Sequence, residues 1–364
     1  MSAHKGVAPG SSRNAPLVSI ITPTFNQAQF IGPCIESVLG QTYTNWEQII
    51  VDDGSTDDTA AVVESYTDPR IKYQRQEHAG ILALAETYNR GLRAARGQVI
   101  SILEGDDLWT ADKLERLVPK FDDPDVVLSY GRTMIMVGGR PTGKVIPSPS
   151  LERKLGRGGL FNVPPGAGTV SMLLANIVGP FQCAVVIRRS ALEAIDGFQY
   201  VKGLGAVDYP TILAVSLQGR FEYLERVVAY WRRHPGSSSW VRHQRDVRAT
   251  HDFVRSFMSD HAKQLALSAD RVRQIENTWR DFQKRAAFNG GRYLLLQAKW
   301  SEARKEFREA LRSPSPSVLA GAFVGYAASL LRTDIERLMT ATGRVPYDNE
   351  RAVRDPASGR PVSV

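Results

Sequence analysis

The chain has 364 residues, of which 43% are hydrophobic and 23% are charged, a composition typical of globular domains that excludes collagen-like or largely disordered chains. Two cysteines, Cys34 and Cys183, are too few for a disulfide framework and predict a reducing compartment. The net charge of +8 is uneven, because residues 226–312 hold 19 Lys and Arg against 9 Asp and Glu. The first half is therefore not basic, and any anionic partner is expected to meet the later segment.

Strand and helix patterns alternate along the first half of the chain. Apolar, β-branched runs predict strands, and apolar residues at helical spacing predict helices. The predicted strands cover residues 18–22, 46–51, 71–74 and 98–103, and the predicted helices cover residues 30–39, 56–66, 82–95 and 111–121. Strands separated by helices indicate βαβ units, and therefore a mostly parallel, doubly wound sheet.

The second half is less regular. Residues 138–168 are crowded with Gly, Pro and Arg, which predicts a long functional loop or flap. Residues 241–312 are predicted to be almost wholly helical. The most apolar stretch, 318–331, has 14 residues and is shorter than the roughly 20 that a membrane-spanning helix needs. Residues 1–15 are predicted to be a disordered leader without the features of a signal peptide, and residues 341–364 a disordered tail.

Two of the predicted strands end in clustered carboxylates. Asp52 and Asp53 follow one apolar run, and Glu104, Asp106 and Asp107 follow another. Because the carboxyl ends of parallel strands meet at one edge of a sheet, we expect the two clusters to lie close together. Like charges at short range repel one another unless a cation or a ligand separates them. The sequence therefore predicts a site for Mn²⁺ or Mg²⁺ carrying a diphosphate.

Nine short motifs occur in a characteristic order, at residues 18–26, 37–43, 51–57, 89–97, 103–109, 188–192, 195–198, 207–209 and 230–234. In this order they resemble the inverting glycosyltransferases of family two, which have a GT-A fold. The resemblance covers about residues 16–240. It implies an α/β GT-A domain over that range, with a Rossmann-like, mostly parallel central sheet and flanking helices. An all-helical C-terminal extension over residues 241–340 is predicted to follow it.

The resemblance also implies an activity. Enzymes of this family transfer a sugar, a hexose or an N-acetylhexosamine, from a nucleoside-diphosphate sugar to a hydroxyl of a glycan or lipid-linked acceptor. A UDP-sugar is the favoured donor and Mn²⁺ or Mg²⁺ the implied cofactor. The implied setting is bacterial surface-polysaccharide or glycoconjugate synthesis, with a cytoplasmic location that extends to peripheral contact at the inner face of the plasma membrane.

The resemblance assigns roles to individual residues. Asp208 matches the general base, which takes the proton of the acceptor hydroxyl. Asp106, Asp107 and His234 match the positions that hold the metal. The remaining matches are residues that bind the donor nucleotide, its ribose or its diphosphate: Pro23, Thr24, Phe25, Asn26, Asp52, Asp53, Glu104, Gly105 and Arg233.

Two departures from the family pattern leave alternatives open. Glu104 stands where the family usually has Asp, and Val207 stands where Glu more often precedes the base. One alternative is therefore an impaired, glycosyltransferase-like scaffold that binds a partner through its helical region. The other is a nucleotidyltransferase, although residues 22–26 lack the Gly-rich, basic loop that such an enzyme would need after its first strand.

The helical extension has its own pattern. Residues 300–311 resemble the second helix of a tetratricopeptide repeat, and the preceding helix, through Phe288 and Tyr293, is its expected partner. A single repeat cannot bury its own faces, so we expect the pair to pack on the catalytic domain. Residues 318–331 are expected to complete that packing or to lie on a membrane face. The basic 226–312 region predicts contact with an anionic membrane or glycan, or a solvated surface, and no motif for nucleic acid accompanies it.

Overall fold

The structure is a computed structural model that describes residues 15–175, 180–234, 238–296, 298–333 and 335. The predicted tail, residues 341–364, lies outside the described residues, and so does the predicted leader apart from residue 15. In the part of the chain that is described, an α/β sheet with flanking helices is followed by a helical region, as the sequence predicts.

One sheet organises the described residues between Val18 and Arg233. The strands found in the described residues are β1 (Val18–Thr24), β2 (Trp46–Asp52), β3 (Ile71–Arg75), β4 (Val99–Ile102), β5 (Leu108–Trp109), β6 (Val126–Val137), β7 (Arg140–Ile146), β8 (Val185–Arg188) and β9 (Arg220–Arg233). Their order is β3-β2-β1-β4-β8-β6-β9-β5, and β7 pairs with β6.

Strands β3, β2, β1 and β4 pair in parallel. Every residue of β1, β2 and β4 is buried, which explains why these strands are nearly continuous apolar runs and do not alternate. Thr24 at the end of β1 lies beside Asp52 at the end of β2, and Ile21 lies beside Ile102 of β4. Both acidic clusters therefore follow strands that end at the same edge of the sheet.

The other half of the sheet is mixed. Strand β8 pairs antiparallel with β4 and β6, whereas β9 runs parallel to β6. The long pair of β6 and β9 extends as far as Val137 and Arg233, and β5 pairs antiparallel with β9. This arrangement carries the end of β9 to the carboxylates that precede β5.

Helices cover both faces of the sheet and form the C-terminal region. Those described are α1 (Ala28–Leu39), α2 (Thr59–Glu64), α3 (Leu84–Ala94), α4 (Lys113–Leu117), α5 (Pro149–Phe161), α6 (Ala167–Ala175), α7 (Arg189–Glu193), α8 (Asp208–Ser216), α9 (Ser238–Asp260), α10 (Ala262–Leu265), α11 (Ala269–Leu296), α12 (Trp300–Ala310) and α13 (Pro316–Leu330). None of the helices in the described ranges is long and apolar enough to span a membrane.

The prediction of a long loop at residues 138–168 is wrong. This segment forms β7 and α5. Strand β7 pairs with β6 alone and is mostly exposed, so it lacks the apolar alternation that marks a half-buried strand. The buried Asn162 fixes the chain after α5, because its side chain donates to Ser216 O and Gly219 O and accepts from the N–H groups of Gly166 and Gly168.

The core has one cluster on each face of the sheet. Ile21 and Ile100 belong to one cluster, and their neighbours Ile20 and Val99 belong to the other. Helices α9 and α11 extend the first cluster, to which they contribute Val254, Phe257, Ile275 and Trp279. These two helices therefore share the core of the preceding domain.

Helices α12 and α13 form a separate apolar cluster with the end of α11. The predicted helix pair is present in α11 and α12, where the rings of Phe288 and Phe307 lie 6.2 Å apart. Phe307 is fully buried. Helix α13 covers this pair with Val318, Ala322 and Ala328, so the expected packing role of residues 318–331 is confirmed for one of its sides.

Candidate active site

The loop after β1 lies between the two acidic clusters. Asp53 N–H donates to Thr24 O at 2.9 Å, and Gly105 N–H donates to Pro23 O at 3.1 Å. The Thr24 hydroxyl donates to Gln27 Oε1 at 2.8 Å. Residues 23–24 thus connect the segment that follows β2 to the segment that follows β4, and the nucleotide role of this loop stays a prediction.

Two other residues of this loop face different surroundings. Asn26 has a left-handed backbone, with φ of 50°, and its side-chain oxygen accepts the Thr56 N–H at 2.7 Å. Its own N–H donates to Ser55 Oγ at 2.9 Å. Phe25 is 39% exposed. Asn26 therefore holds the loop against the turn after β2, while the ring of Phe25 is open to solvent.

Asp52 stabilises the turn after β2 from within. Its side chain is fully buried and accepts hydrogen bonds from Ser55 N and Ser55 Oγ at 2.9 and 2.6 Å and from the Tyr73 hydroxyl at 2.6 Å. A carboxylate with these partners fixes the loop geometry. The structure therefore puts Asp52 behind the site, in a supporting position.

Asp53 is bound by a loop to which the sequence had assigned no role. Its carboxylate accepts the N–H groups of Ala79 and Gly80 and the amide of Gln76. His78 Nδ1 lies 2.9 Å from Asp53 Oδ2, and its ring stacks on Phe25 with a centroid distance of 4.1 Å. The stacked rings form an exposed aromatic surface beside Asp53. The nearby Gly80 has a left-handed backbone, with φ of 78°, and this glycine is the signal in the sequence that could have marked the loop.

Glu104 is a carboxylate whose pKa is strongly raised by its surroundings. The Tyr88 hydroxyl donates to Oε1 at 2.7 Å, while Oε2 is buried and has no hydrogen-bond partner among the described residues. Burial, together with the charges of Asp106 and Asp208, raises the pKa of Glu104 to about 7, although the Tyr88 hydrogen bond lowers it. An unsatisfied buried oxygen of this kind is costly and indicates a missing donor or cation.

Asp106 and His234 are 128 residues apart in the sequence but adjacent in the structure. Asp106 Oδ2 lies 3.1 Å from His234 Nε2, and both side chains are mostly buried. Arg232 Nε donates to Asp106 O at 2.7 Å. The ring of Phe30, on α1, lies 4.5 Å from that of His234 and 4.9 Å from the guanidinium of Arg232. Phe30 was missed by the sequence analysis, whereas Arg232 belongs to the motif at residues 230–234, and together they hold the end of β9 against the acidic loop.

Asp107 points inward. It is 3% exposed and accepts the Arg232 N–H at 2.8 Å. Burial, followed by the charge of Asp106, raises the pKa of Asp107 well above its usual range. Ligand atoms of Glu104, Asp107 and Cys183 all lie within 4.8 Å of one another. Asp107 can thus join Glu104 as a ligand or anchor the end of β9.

A buried lysine supports the acidic loop from below. Lys113 Nζ donates to Ser101 Oγ and to Cys183 O, both at 2.9 Å, and lies 3.5 Å above the Trp109 ring. Burial lowers the pKa of Lys113, while Glu104 acts in the opposite direction. Sequence reasoning missed this residue because α4 carries an ordinary helical pattern, in which a lysine is expected to face solvent.

Asp208 is the first residue of α8. Burial is the main cause of the raised pKa values of Glu104 and Tyr88, and the charge of Asp208 adds to both. Arg233 lies with its guanidinium 5.4 Å from the Trp231 ring. Residues 235–237, which follow the motif at residues 230–234, lie outside the described residues. The fold therefore gathers the predicted base, the acidic loop and the end of β9 at one edge.

The residues present fit the implied cation. Carboxylate oxygens and one imidazole are a suitable donor set for Mn²⁺ or Mg²⁺. The observation that favours a cation is the unpartnered, buried Glu104 Oε2 beside two further carboxylates. Asp106 and His234, already 3.1 Å apart, would hold it, and Glu104 or Asp107 would complete the site.

Comparisons with known proteins identify the family of this chain. The model of the glycosyl transferase family 2 matches residues 19–196. The Escherichia coli protein WfaP, named UDP-Glc:alpha-D-GlcNAc-diphosphoundecaprenol beta-1,3-glucosyltransferase, is 31% identical over 225 residues, which are 61% of this chain and 80% of WfaP. WfgD of Escherichia coli, with the same activity in its name, is 38% identical over 166 residues, 45% of this chain.

Solved structures have the same fold. Residues 1–349 of TarS from S. aureus superpose with a TM-score of 0.55 at 16% identity, covering 93% of this chain and 94% of that chain. The mannosyltransferase PcManGT from Pyrobaculum calidifontis, solved with GDP-Man and Mn²⁺, has a TM-score of 0.53 at 21% identity, covering 92% and 86%. The predicted GT-A fold is thereby confirmed.

The fraction of each relative's length that this chain covers differs between the matches. This chain spans 63% of WfgD and 54% of the putative teichuronic acid biosynthesis glycosyltransferase TuaG of Bacillus subtilis, which is 36% identical over 137 residues, 37% of this chain. It spans 80% of WfaP. Neither the nucleotidyltransferase nor the scaffold alternative is favoured by these comparisons. With the family motifs gathered at one sheet edge and this relationship to WfaP, the chain belongs to glycosyl transferase family 2.

Proposed function

We propose that this protein is an inverting, metal-dependent glycosyltransferase that moves a sugar from a nucleoside-diphosphate donor to a hydroxyl of a glycan or lipid-linked acceptor. The observation that carries the proposal is the meeting of Asp106 with His234 at 3.1 Å, next to Glu104 and Asp208, whose charges influence each other. Metal-binding groups and a general base at one sheet edge are what this transfer needs.

The donor nucleotide is assigned to the surface formed by residues 23–26 and Asp53. Phe25 and His78 provide a stacked aromatic surface, and Asp53 is held in position by the Ala79 and Gly80 N–H groups. A UDP-sugar is the favoured donor, because WfgD and WfaP carry UDP-Glc in their names. Gly105 and Arg233 are assigned to the diphosphate.

The cation belongs with the diphosphate. Asp106 and His234 are its proposed ligands, and Asp107 and Glu104 lie where they could add a carboxylate. When bound, the cation would offset the negative charge that develops on the departing nucleoside diphosphate. A cation there would oppose the burial and the neighbouring charges that raise the pKa of Glu104, because a nearby cation favours the ionised carboxylate.

Asp208 is the proposed general base. Its carboxylate would accept the proton of the acceptor hydroxyl as that oxygen attacks the anomeric carbon. Inversion follows when base and leaving group lie on opposite sides of the sugar ring, and no covalent sugar–enzyme intermediate is needed. Tyr88 and Glu104, hydrogen-bonded to each other, line the space beside this base.

The proposed acceptor is lipid-linked, as the diphosphoundecaprenol in the names of both Escherichia coli relatives suggests. A cytoplasmic location is proposed on the two buried, unpaired cysteines, Cys34 and Cys183, which fit a reducing compartment. Peripheral contact with an anionic membrane surface is proposed for the basic region 226–312, whose side chains would attract acidic headgroups.

Donor binding is tested by thermal stability against UDP-, GDP- and dTDP-sugars, each with and without Mn²⁺. A ligand present well above its Kd raises Tm, so one nucleotide class should stabilise the wild type, and more so with Mn²⁺. Asp106→Asn and His234→Ala should lose the Mn²⁺-dependent part. Stabilisation by no donor, or by every donor equally in the variants and the wild type, would refute the donor assignment.

Catalysis is tested separately. Asp208→Asn should keep donor affinity and lose sugar transfer by about 10²- to 10⁴-fold, the usual contribution of a general base. Asp260→Asn, the same substitution on the exposed end of α9, is the control and should transfer normally. Retention of transfer in Asp208→Asn would exclude this residue as the base, and hydrolysis of the donor without transfer would leave the acceptor unidentified.

A further inference from the structure

Helix α13 (Pro316–Leu330) is apolar on two sides. Residues 313–331 contain no charged side chain, and Arg312 and Arg332 stand at their two ends. A surface helix normally has one polar side. An uncharged helix at the surface of the described structure exposes apolar side chains on the side that faces away from the protein. We therefore expect a second apolar partner to cover that side.

One side of α13 is fully used by packing within the protein. Ala322 is completely buried against α11 and α12. A Cβ placed on Gly325 would lie 2.3 Å from the Phe307 ring, and one on Gly321 would lie 2.6 Å from the Phe288 ring. This close contact fixes the rotation of α13, so its opposite side cannot turn into the core.

The opposite side carries a stripe of large apolar side chains. Five of the nine large hydrophobic side chains that are exposed in the described parts of the chain lie here. We call them the α13 outer face: Leu319 (43% exposed), Phe323 (68%), Val324 (53%), Leu330 (54%) and Leu331 (76%). Their spacing follows the helical period, so they form one continuous surface.

The α13 outer face is too small to form a stable dimer interface with a second copy of the chain. Helix α13 has 15 residues, so the face is about 22 Å long and about 10 Å wide, or about 200 Å². A stable protein dimer buries about 800 Å² on each partner. A lipid surface requires no such minimum, because a helix lying in the headgroup region buries its apolar side alone.

The arginines at the two ends of α13 also favour a lipid surface as the partner of this face. Arg312, which is 70% exposed and ion-paired with Glu309, and the exposed Arg332 flank the α13 outer face, and their guanidinium groups match the negative charge of acidic lipids. The basic region 226–312 ends at Arg312. An apolar stripe with cationic ends is complementary to a membrane, whose acyl chains meet the stripe while its headgroups meet the guanidinium groups.

We infer that the α13 outer face docks on the surface of an anionic lipid bilayer, with α13 lying in the plane of the membrane. The inference rests on the proposed function in one respect, since docking there would bring the active site to a lipid-linked acceptor. Docking itself is measured without donor or acceptor.

The test is sedimentation of the full chain with vesicles of phosphatidylcholine, with or without phosphatidylglycerol. The wild type should sediment with the mixed vesicles and much less with phosphatidylcholine alone. The double variant Phe323→Ser/Val324→Ser should reduce partitioning by about tenfold or more, because it removes the most central apolar groups of the face. Tyr200→Ser, which changes another exposed side chain (61%), should bind vesicles like the wild type.

Three results would overturn the inference. The double variant could bind vesicles as well as the wild type does. The wild type could instead remain in solution, in which case something else covers the face. A wild-type dimer that the double variant dissociates in size-exclusion chromatography would identify a second copy as the occupant. Unchanged Tm in the variant excludes misfolding, and Tm shifts with donor test the proposed function independently.

Discussion

The contact of Phe30 with the end of β9 leads to a prediction about donor and metal binding. The ring of Phe30 lies 4.5 Å from that of His234 and 4.9 Å from the guanidinium of Arg232. The ring contacts both residues that hold β9 against Asp106. Phe30 itself lies on α1, outside the family motifs, and is not a proposed metal ligand. Phe30→Ala should therefore weaken binding by releasing His234 from its position, without removing any ligand.

The magnitude follows from the two contacts. An aromatic pair contributes about 0.5–1.5 kcal/mol beyond its buried area, and an exposed cation–π contact contributes about 0.5–1 kcal/mol. If both are needed to hold His234 in place, Phe30→Ala costs about 1–2.5 kcal/mol of binding free energy. This corresponds to an increase of about 5- to 60-fold in the Kd of the donor measured with Mn²⁺.

The assay is titration calorimetry of the preferred nucleotide sugar with and without Mn²⁺. Phe30→Leu is the matched variant, because it keeps an apolar side chain but removes the π-face, and it should fall between the wild type and Phe30→Ala. Binding without Mn²⁺ should change less than binding with it. A Kd in Phe30→Ala equal to that of the wild type, with both proteins folded, would refute the positioning role of this ring.

Three further predictions concern stability. Hydrogen bonds from Lys72, Ser19 and Arg96 outweigh burial and lower the pKa of Glu47 to about 2, so Glu47→Gln should lose about 3 kcal/mol in urea unfolding at pH 7. A lowered carboxyl pKa stabilises fully above the unfolded value, and this stabilisation is lost progressively as the pH falls toward the folded value, so the deficit should shrink by about 1 kcal/mol between pH 5 and 3.5. Gly105→Ala should lose about 1–3 kcal/mol and weaken donor binding, since its Cβ would lie 2.3 Å from Gln27 Oε1. Phe307→Ala should cost about 3–5 kcal/mol and increase hydrogen exchange in α11–α13.

Each of these has a result that contradicts it. A deficit of Glu47→Gln that is constant with pH would mean that the stabilisation does not come from ionisation. Gly158→Ala is the control for Gly105→Ala, since a Cβ there meets only Val163 O at 3.5 Å; equal effects of the two would show that close packing at residue 105 is unimportant. Unchanged exchange in Phe307→Ala would contradict the separate core of α11–α13.

Local sequence determined the parallel half of the sheet and its acidic edge. Strands β1, β2 and β4 are recognisable because they are buried on both faces and are therefore continuous apolar runs. Asp52, Asp53 and the residues from Glu104 to Asp107 are recognisable because they end such runs. By contrast, β7 and α5 were missed, because an edge strand with exposed side chains lacks the alternation on which prediction depends.

Only the tertiary structure determines which residues far apart in the chain come into contact. The approach of His234 to Asp106 and of Asp208 to Glu104 depends on the placement of β8, β6 and β9 beyond β4, which no local pattern encodes. Side-chain burial also depends on it: Lys113 is buried and Phe323 is exposed, although composition alone favours the opposite. Composition and periodicity act over a few residues, whereas a site and its electrostatics arise where the fold brings distant segments within a few ångströms.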